Sequence, residues 1–332
     1  MDASYLLRLA GLCFASFFLV NAFCGLIALA CIPLAIRTAE RMEPRAAGRL
    51  LLAVRLGPAL FGLFVVFALC IPSYLWFEPQ ATHEDMGLLC AGAGLLGLLA
   101  WVLSFTRVVR AVAGSSRYAG RCRCVGRATT IGGTGARMPA LAIEHPSALL
   151  ALCGVFRPTL LVSRAVLETL SPDQMDAALC HERAHWAAHD NLARLLLLLA
   201  PDVLFLRGPF RALEGRWARF AEWAADDEAA AGDPFRALAL ASALVCVAKV
   251  GRPPVLALTS SFTSGGLDLE ARVERLLRVE QRGPAAHPAD SGPRFRVFAG
   301  VAALSCAVLV FSASLLPSVM PSIYRLLEDL VR

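Results

Sequence analysis

The stretch Ser171-Pro-Asp-Gln-Met-Asp-Ala-Ala-Leu-Cys-His-Glu-Arg-Ala-His185 decides how the rest of the chain is read. Ser171 at the N-cap, Pro172 at N1 and Gln174 at N3 together predict a capped helix running from Pro172 to about His189. Within it, His181-Glu182-Arg183-Ala184-His185 is an H-E-x-x-H motif. Residues at i and i+4 share one helix face, so both imidazoles can reach a single zinc ion. Glu182, one step round the helix, is close enough to take a proton from a water polarised by the metal. The helix cap supplies the context the motif needs, and with six histidines in the whole chain it argues against a chance match.

Zinc peptidases hold the metal with three side chains and leave the fourth position open. Glu222-Trp-Ala-Ala-Asp226 answers that need. Glu222 completes a His₂Glu site, one zinc per chain, and Asp226, on the same helical face, accepts the free ring N–H of a ligand histidine. The competing reading is a solvated acidic face, which is how Asp227 and Glu228 are read. His189 reads as a surface residue at a helix end; His83, His145 and His287 receive no role. Asp190 either supports a ligand or orients the turn into Asn191, and is not read as catalytic.

Composition places this helix in a membrane protein. Apolar residues make up 57% and charged residues 17%, against about 45–50% and 25% in soluble domains. The excess lies in four runs, approximately Leu9–Ile36, Leu56–Phe77, Gly87–Thr106 and Val297–Pro317, each near the ~20 residues a spanning helix needs. The first run is too long for a secretory leader and reads as an uncleaved anchor. Arg37, Arg41, Arg45 and Arg49 follow the first run, and Arg107, Arg110, Arg117, Arg121, Arg123 and Arg127 follow the third. The second loop carries only Glu78, Glu84 and Asp85. The positive-inside rule therefore puts the N-terminus outside and the central region in the cytoplasm. The net charge of +6 is mostly this topology signal; no basic stripe with interleaved aromatics supports direct nucleic-acid binding. Most of the eleven cysteines lie in apolar runs as packing residues, and Cys122-Arg-Cys124 lacks a second pair for zinc. A transporter is disfavoured because the spans lack ionisable groups except at end positions such as Arg8 and Arg55.

The expected architecture is a mainly α membrane protein with four transmembrane helices and a small α+β zincin-like domain. Its divisions are three spans over 1–113, a cytoplasmic peptidase domain over 114–282, a linker over 283–295, a fourth span over 296–318 and a short extracytoplasmic tail over 319–332. Ala140–Glu144, Leu149–Leu152 and Thr159–Val162 read as strands. Leu195–Leu206 is too short to span and is interrupted by Asp202, so it reads as an interfacial or buried helix. Further helices are expected over Pro209–Ala230, Asp233–Val250 and Leu267–Val279, with Gly251–Gly266 as a loop.

Taken together, Cys153-Gly-Val-Phe-Arg-Pro158-Thr-Leu-Leu-Val-Ser163, the Ser171–His185 helix with Asp190-Asn191, Glu222–Asp226 and Arg272-Val-Glu-Arg-Leu-Leu277 resemble the BlaR/MecR-type membrane metallopeptidases of the gluzincin group. The order of the segments and the three-plus-one layout of spans are similar as well. The resemblance implies zinc ligands at His181, His185 and Glu222, the catalytic glutamate at Glu182 and a helper aspartate at Asp226. It also implies a transition-state helper at Arg272, and a cleft beside Thr159–Ser163 where a substrate pairs as an added strand. Sensor members carry a penicillin-binding domain after the last span, whereas Val319–Arg332 is all that follows here, so antibiotic sensing is not implied. The HtpX and CAAX-protease group shares both zinc motifs and is the second resemblance.

The expected function is zinc-dependent hydrolysis of a protein or peptide substrate at the cytoplasmic membrane face, in signalling through cleavage of a repressor or of the chain itself. The alternatives are HtpX-like quality control and a non-catalytic membrane receptor; a homodimer stays open.

Overall fold

The computed structural model describes residues 3–77, 87–131, 138–145, 149–156, 158–202, 208–250, 258–261 and 269–282, with Ser322 and Arg325. Three helical segments in it are long and apolar enough to cross a membrane: Ser4–Ala39, Pro44–Phe77 and Leu88–Val125. The chain is a multi-pass membrane protein. The expected fourth run and the linker before it lie outside the described residues.

Helix α1 (Ala3–Ala39) lies between α2 (Pro44–Val65) and α4 (Leu88–Val125), packing against both. Helix α2 continues through a π-helical turn (Val66–Cys70) into α3 (Ile71–Phe77). Small residues set the closest approach between α1 and α4. A Cβ on Gly97 would stand 2.3 Å from the Phe14 carbonyl oxygen, and one on Gly94 2.9 Å from that of Gly11. In lipid, where apolar burial contributes little between helices, such backbone proximity supplies the packing.

Helix α4 departs from expectation. At about 1.5 Å per residue it is roughly 57 Å long, nearly twice the ~30 Å hydrocarbon core. It runs unbroken through residues 113 and 114 into the arginine-rich stretch read as a loop. Arginine is a good helix former, and Ala119 and Cys122 bury a face of this extension against the sheet.

The sheet comprises β1 (Arg127–Ile131), β2 (Met138–Ile143), β3 (Leu150–Cys153), β4 (Thr159–Ser163) and β5 (Thr259–Ser261), in the order β1-β2-β4-β3-β5. Strands β2 and β4 are parallel; the other pairs are antiparallel. Alternation along the strands serves two cores. Leu150, Leu152, Leu160 and Val162 face one side, while Leu149, Ala151, Cys153 and Leu161 face α4. The expected added strand at β4 is overturned, because β2 and β3 already pair with both of its edges.

A short helix, α5 (Arg164–Thr169), leads into α6 (Pro172–Ala188), α7 (Asp190–Leu199), α8 (Gly208–Ala230), α9 (Pro234–Val250) and α10 (Leu269–Arg282). Helices α6 and α9 close the first sheet face through Ala178, Leu179, Leu240 and Leu244. Helix α8 packs on α1 and α2 through Phe210, Leu213, Trp217 and Phe220 against Ile32, Ala35, Ala47 and Leu51. The zinc-motif helix therefore sits in a domain held between the extended ends of the membrane helices.

Candidate metal centre

Helix α6 starts as its sequence dictates. The Ser171 amide donates to Gln174 Oε1 at 3.0 Å, and the Gln174 amide donates to Ser171 Oγ at 3.4 Å. The reciprocal pair satisfies two amides that a helix start leaves open. With the start fixed, His181, Glu182 and His185 fall on the buried side, each 2% exposed or less. The helix ends at His189, whose φ of 58° is left-handed and turns the chain at once into α7. As expected, the His189 side chain is exposed.

Helix α8 brings Glu222 and Asp226 across to the same point. His181 Nε2 and His185 Nε2 are 3.1 Å apart, and Glu222 Oε2 is 3.6 Å from the first and 3.7 Å from the second. Among the described residues these three form a group able to hold a metal ion. Behind them, His181 Nδ1 lies 3.0 Å from Asp226 Oδ1, and His185 Nδ1 lies 2.6 Å from Asp190 Oδ2. A carboxylate behind each ring favours the Nδ1–H tautomer, leaving both Nε2 lone pairs directed at the common centre.

Arg272 enters from α10, 2% exposed. Its Nε donates to Asp226 Oδ2 at 2.8 Å and its Nη2 to Asp226 Oδ1 at 2.7 Å, while Nη1 lies 3.0 Å from Glu222 Oε2. All six residues singled out in the sequence thus meet in one place. Two further residues join them from α7: Asp190, and Arg194, whose Nη2 is 3.8 Å from Glu222 Oε1. Asp190 was readable only as one of two alternatives, and Arg194 carried no motif.

The electrostatics follow from burial and charge. Burial opposes ionisation of Asp226, but the Arg272 guanidinium overrides it and holds the carboxyl down at about 2. Burial likewise opposes ionisation of Glu222, which Arg272 and His185 nevertheless keep well below the usual carboxylate range. Glu182 behaves differently. Burial dominates and lifts its carboxyl to about 7, although the two imidazoles pull the other way. Neither Glu182 oxygen has a hydrogen-bond partner among the described residues.

Comparison with known proteins agrees with this geometry: residues 128–251 match the model of peptidase family M48. This stretch is similar to the peptidase domain of that family. The match spans the sheet through β4, the α6 motif and Glu222–Asp226, and ends before α10 with Arg272. No curated protein and no solved structure matches the chain. With its His–His–Glu triad, this M48-like domain is that of a zinc metalloendopeptidase.

Proposed function

We propose that this chain is an integral-membrane zinc endopeptidase that cleaves a protein substrate at the cytoplasmic face, with His181, His185 and Glu222 as metal ligands and Glu182 as general base. The observation that carries the reading is the triangle of donor atoms. A tetrahedral zinc ion with ligand bonds of about 2.0–2.2 Å separates its donors by about 3.3 Å, and the sides measured here are 3.1, 3.6 and 3.7 Å. Beside them stands the buried Glu182 carboxyl, with no hydrogen-bond partner among the described residues.

When bound, zinc supplies Lewis-acid polarisation of a carbonyl and a more acidic water. The chain's residues do the rest. Glu182 takes the proton of the attacking water and passes it to the leaving amine. Asp190 and Asp226 hold the imidazoles in register. The Arg272 guanidinium is turned toward Asp226 and Glu222, which favours holding those carboxylates over donating to a substrate oxyanion.

The peptidase unit is taken as 114–282, beginning within α4, and cytoplasmic by the arginines that follow the first and third apolar runs. A signalling role, through cleavage of a repressor or of the chain itself, is supported by the BlaR/MecR-like Gly154–Pro158 segment and the layout of spans. The test is Glu182→Gln in purified full-length protein. The variant should hold as much zinc as the unaltered chain and lose peptide turnover by at least a hundredfold. Undiminished turnover of a genuine substrate would remove Glu182 from the mechanism.

A further inference from the structure

Helix α7 supports the metal centre at two points. Asp190, its first residue, pairs with His185, and Arg194, one turn on, faces Glu222. Two of the three metal ligands therefore lean on one ten-residue helix, about 15 Å long.

The other end of that helix is held by two membrane helices. From α2, Arg55 Nη2 donates to the Ala200 carbonyl at 3.0 Å and to Asp202 Oδ1 at 3.0 Å, and Nη1 donates to the Pro201 carbonyl at 3.4 Å. From α4, Arg107 Nη2 donates to the same Ala200 carbonyl at 3.1 Å, and Nη1 pairs with Asp202 Oδ2. Arg55 also bonds Glu214 Oε1 at 3.0 Å and lies over the Phe210 ring at 4.7 Å. Two guanidinium groups thus close the carbonyl end of α7, where positive charge is favoured.

The arrangement has little slack. A single residue, His189, joins α6 to α7. Asn191 Nδ2 donates to the carbonyls of Leu152 and Gly154 at 3.2 and 2.8 Å, fixing the near end of α7 to β3. The Arg55 side chain is 2% exposed and that of Asp202 11%. Burying such charges is costly unless they are paired, and an apolar contact gives more stability, so a buried pair is better suited to setting a register.

We propose that Asp202 is a positioning residue for the metal centre. By bridging Arg55 and Arg107 it ties the spacing of α2 and α4 in the bilayer to the orientation of His185 and Glu222, with α7 as the connecting rod. A change in that spacing is transmitted to the ligands without any contact between substrate and membrane helices. The inference rests on the metal site proposed above.

The test uses full-length protein in phosphatidylcholine vesicles. Zinc affinity is read by chelator competition, and ligand geometry by the visible spectrum of the cobalt-substituted chain. Asp202→Asn and Arg107→Gln should each weaken zinc binding about tenfold and shift the cobalt bands, and Arg107→Lys should recover part of the loss. Glu40→Gln, which breaks the exposed Arg216–Glu40 pair between α8 and the turn after α1, should change neither. If Asp202→Asn fails to fold, Arg107→Gln carries the same comparison. Affinities within twofold of the unaltered chain and unshifted bands in both variants overturn the inference and leave the metal site standing. An unaltered chain that binds no stoichiometric zinc overturns the site itself, and the inference with it.

Discussion

Arg272 and Asp226 form a two-bond, side-on ion pair, 2.8 and 2.7 Å long, between α10 and α8, and both residues are buried. The pair meets the metal centre at Asp226 Oδ1, the oxygen that accepts from Arg272 Nη2 and also lies 3.0 Å from His181 Nδ1. Removing one partner of a buried pair leaves an uncompensated charge and costs about 3–5 kcal/mol. Arg272→Met should accordingly lower the melting temperature and weaken zinc binding together. Arg272→Lys should restore little, since an ammonium cannot reproduce the planar fork. A Met variant that melts and binds zinc like the unaltered chain would show that the pair supports neither fold nor site.

Asp190→Asn isolates the second imidazole. Asparagine fills nearly the same space, but the charge behind His185 is lost. Zinc affinity should fall about 10- to 100-fold with the helical content unchanged. Chelator competition and circular dichroism on the same sample distinguish this from unfolding.

Much of the site was legible because its signals are local. The cap at Ser171 and Gln174, the four-residue spacing of His181 and His185, and the same spacing of Glu222 and Asp226 all survive in one dimension. What escaped depends on the third. Strand β1 has a single buried residue, Ile131, so no alternation marks it, and β5 has only three residues within a stretch read as a loop. The arginines after Thr106 resembled a cytoplasmic loop, whereas a buried small-residue face keeps them helical. Asp202 looked like an interruption in an apolar run, and its partners Arg55 and Arg107 lie far away in sequence. The left-handed His189, which returns Asp190 to His185, has no sequence signature of its own, because glycine or asparagine is the usual residue there.

The contact between α1 and α4 gives a prediction inside the membrane. Gly97→Ala places a Cβ against the Phe14 carbonyl at 2.3 Å, which backbone atoms relieve only by moving apart. It should lower the melting temperature in detergent. Gly92→Ala, with nothing within 4 Å of its new Cβ, should leave the melting temperature unchanged or raise it, because alanine is the better helix former. Equal effects of the two substitutions would count against the close helix packing.

Metal removal should behave as a nitrogen- and oxygen-ligand site requires. Chelation should abolish peptide turnover, zinc should restore it, and magnesium, which prefers all-oxygen octahedral sites, should not. Bound imidazoles must be neutral, so protons compete with zinc and occupancy should fall as the pH is lowered. Zinc content after dialysis across a pH series measures this; occupancy that rises on acidification would point to different ligands.

The most direct test is the zinc X-ray absorption spectrum of the purified full-length chain. The expected result is one zinc per chain in a shell of nitrogen and oxygen at about 2.0–2.1 Å, carrying the multiple-scattering signature of two imidazoles and losing one oxygen in Glu222→Ala. A sulfur shell near 2.3 Å, a single imidazole, or a spectrum unchanged by Glu222→Ala would contradict the convergence of His181, His185 and Glu222 on one metal ion.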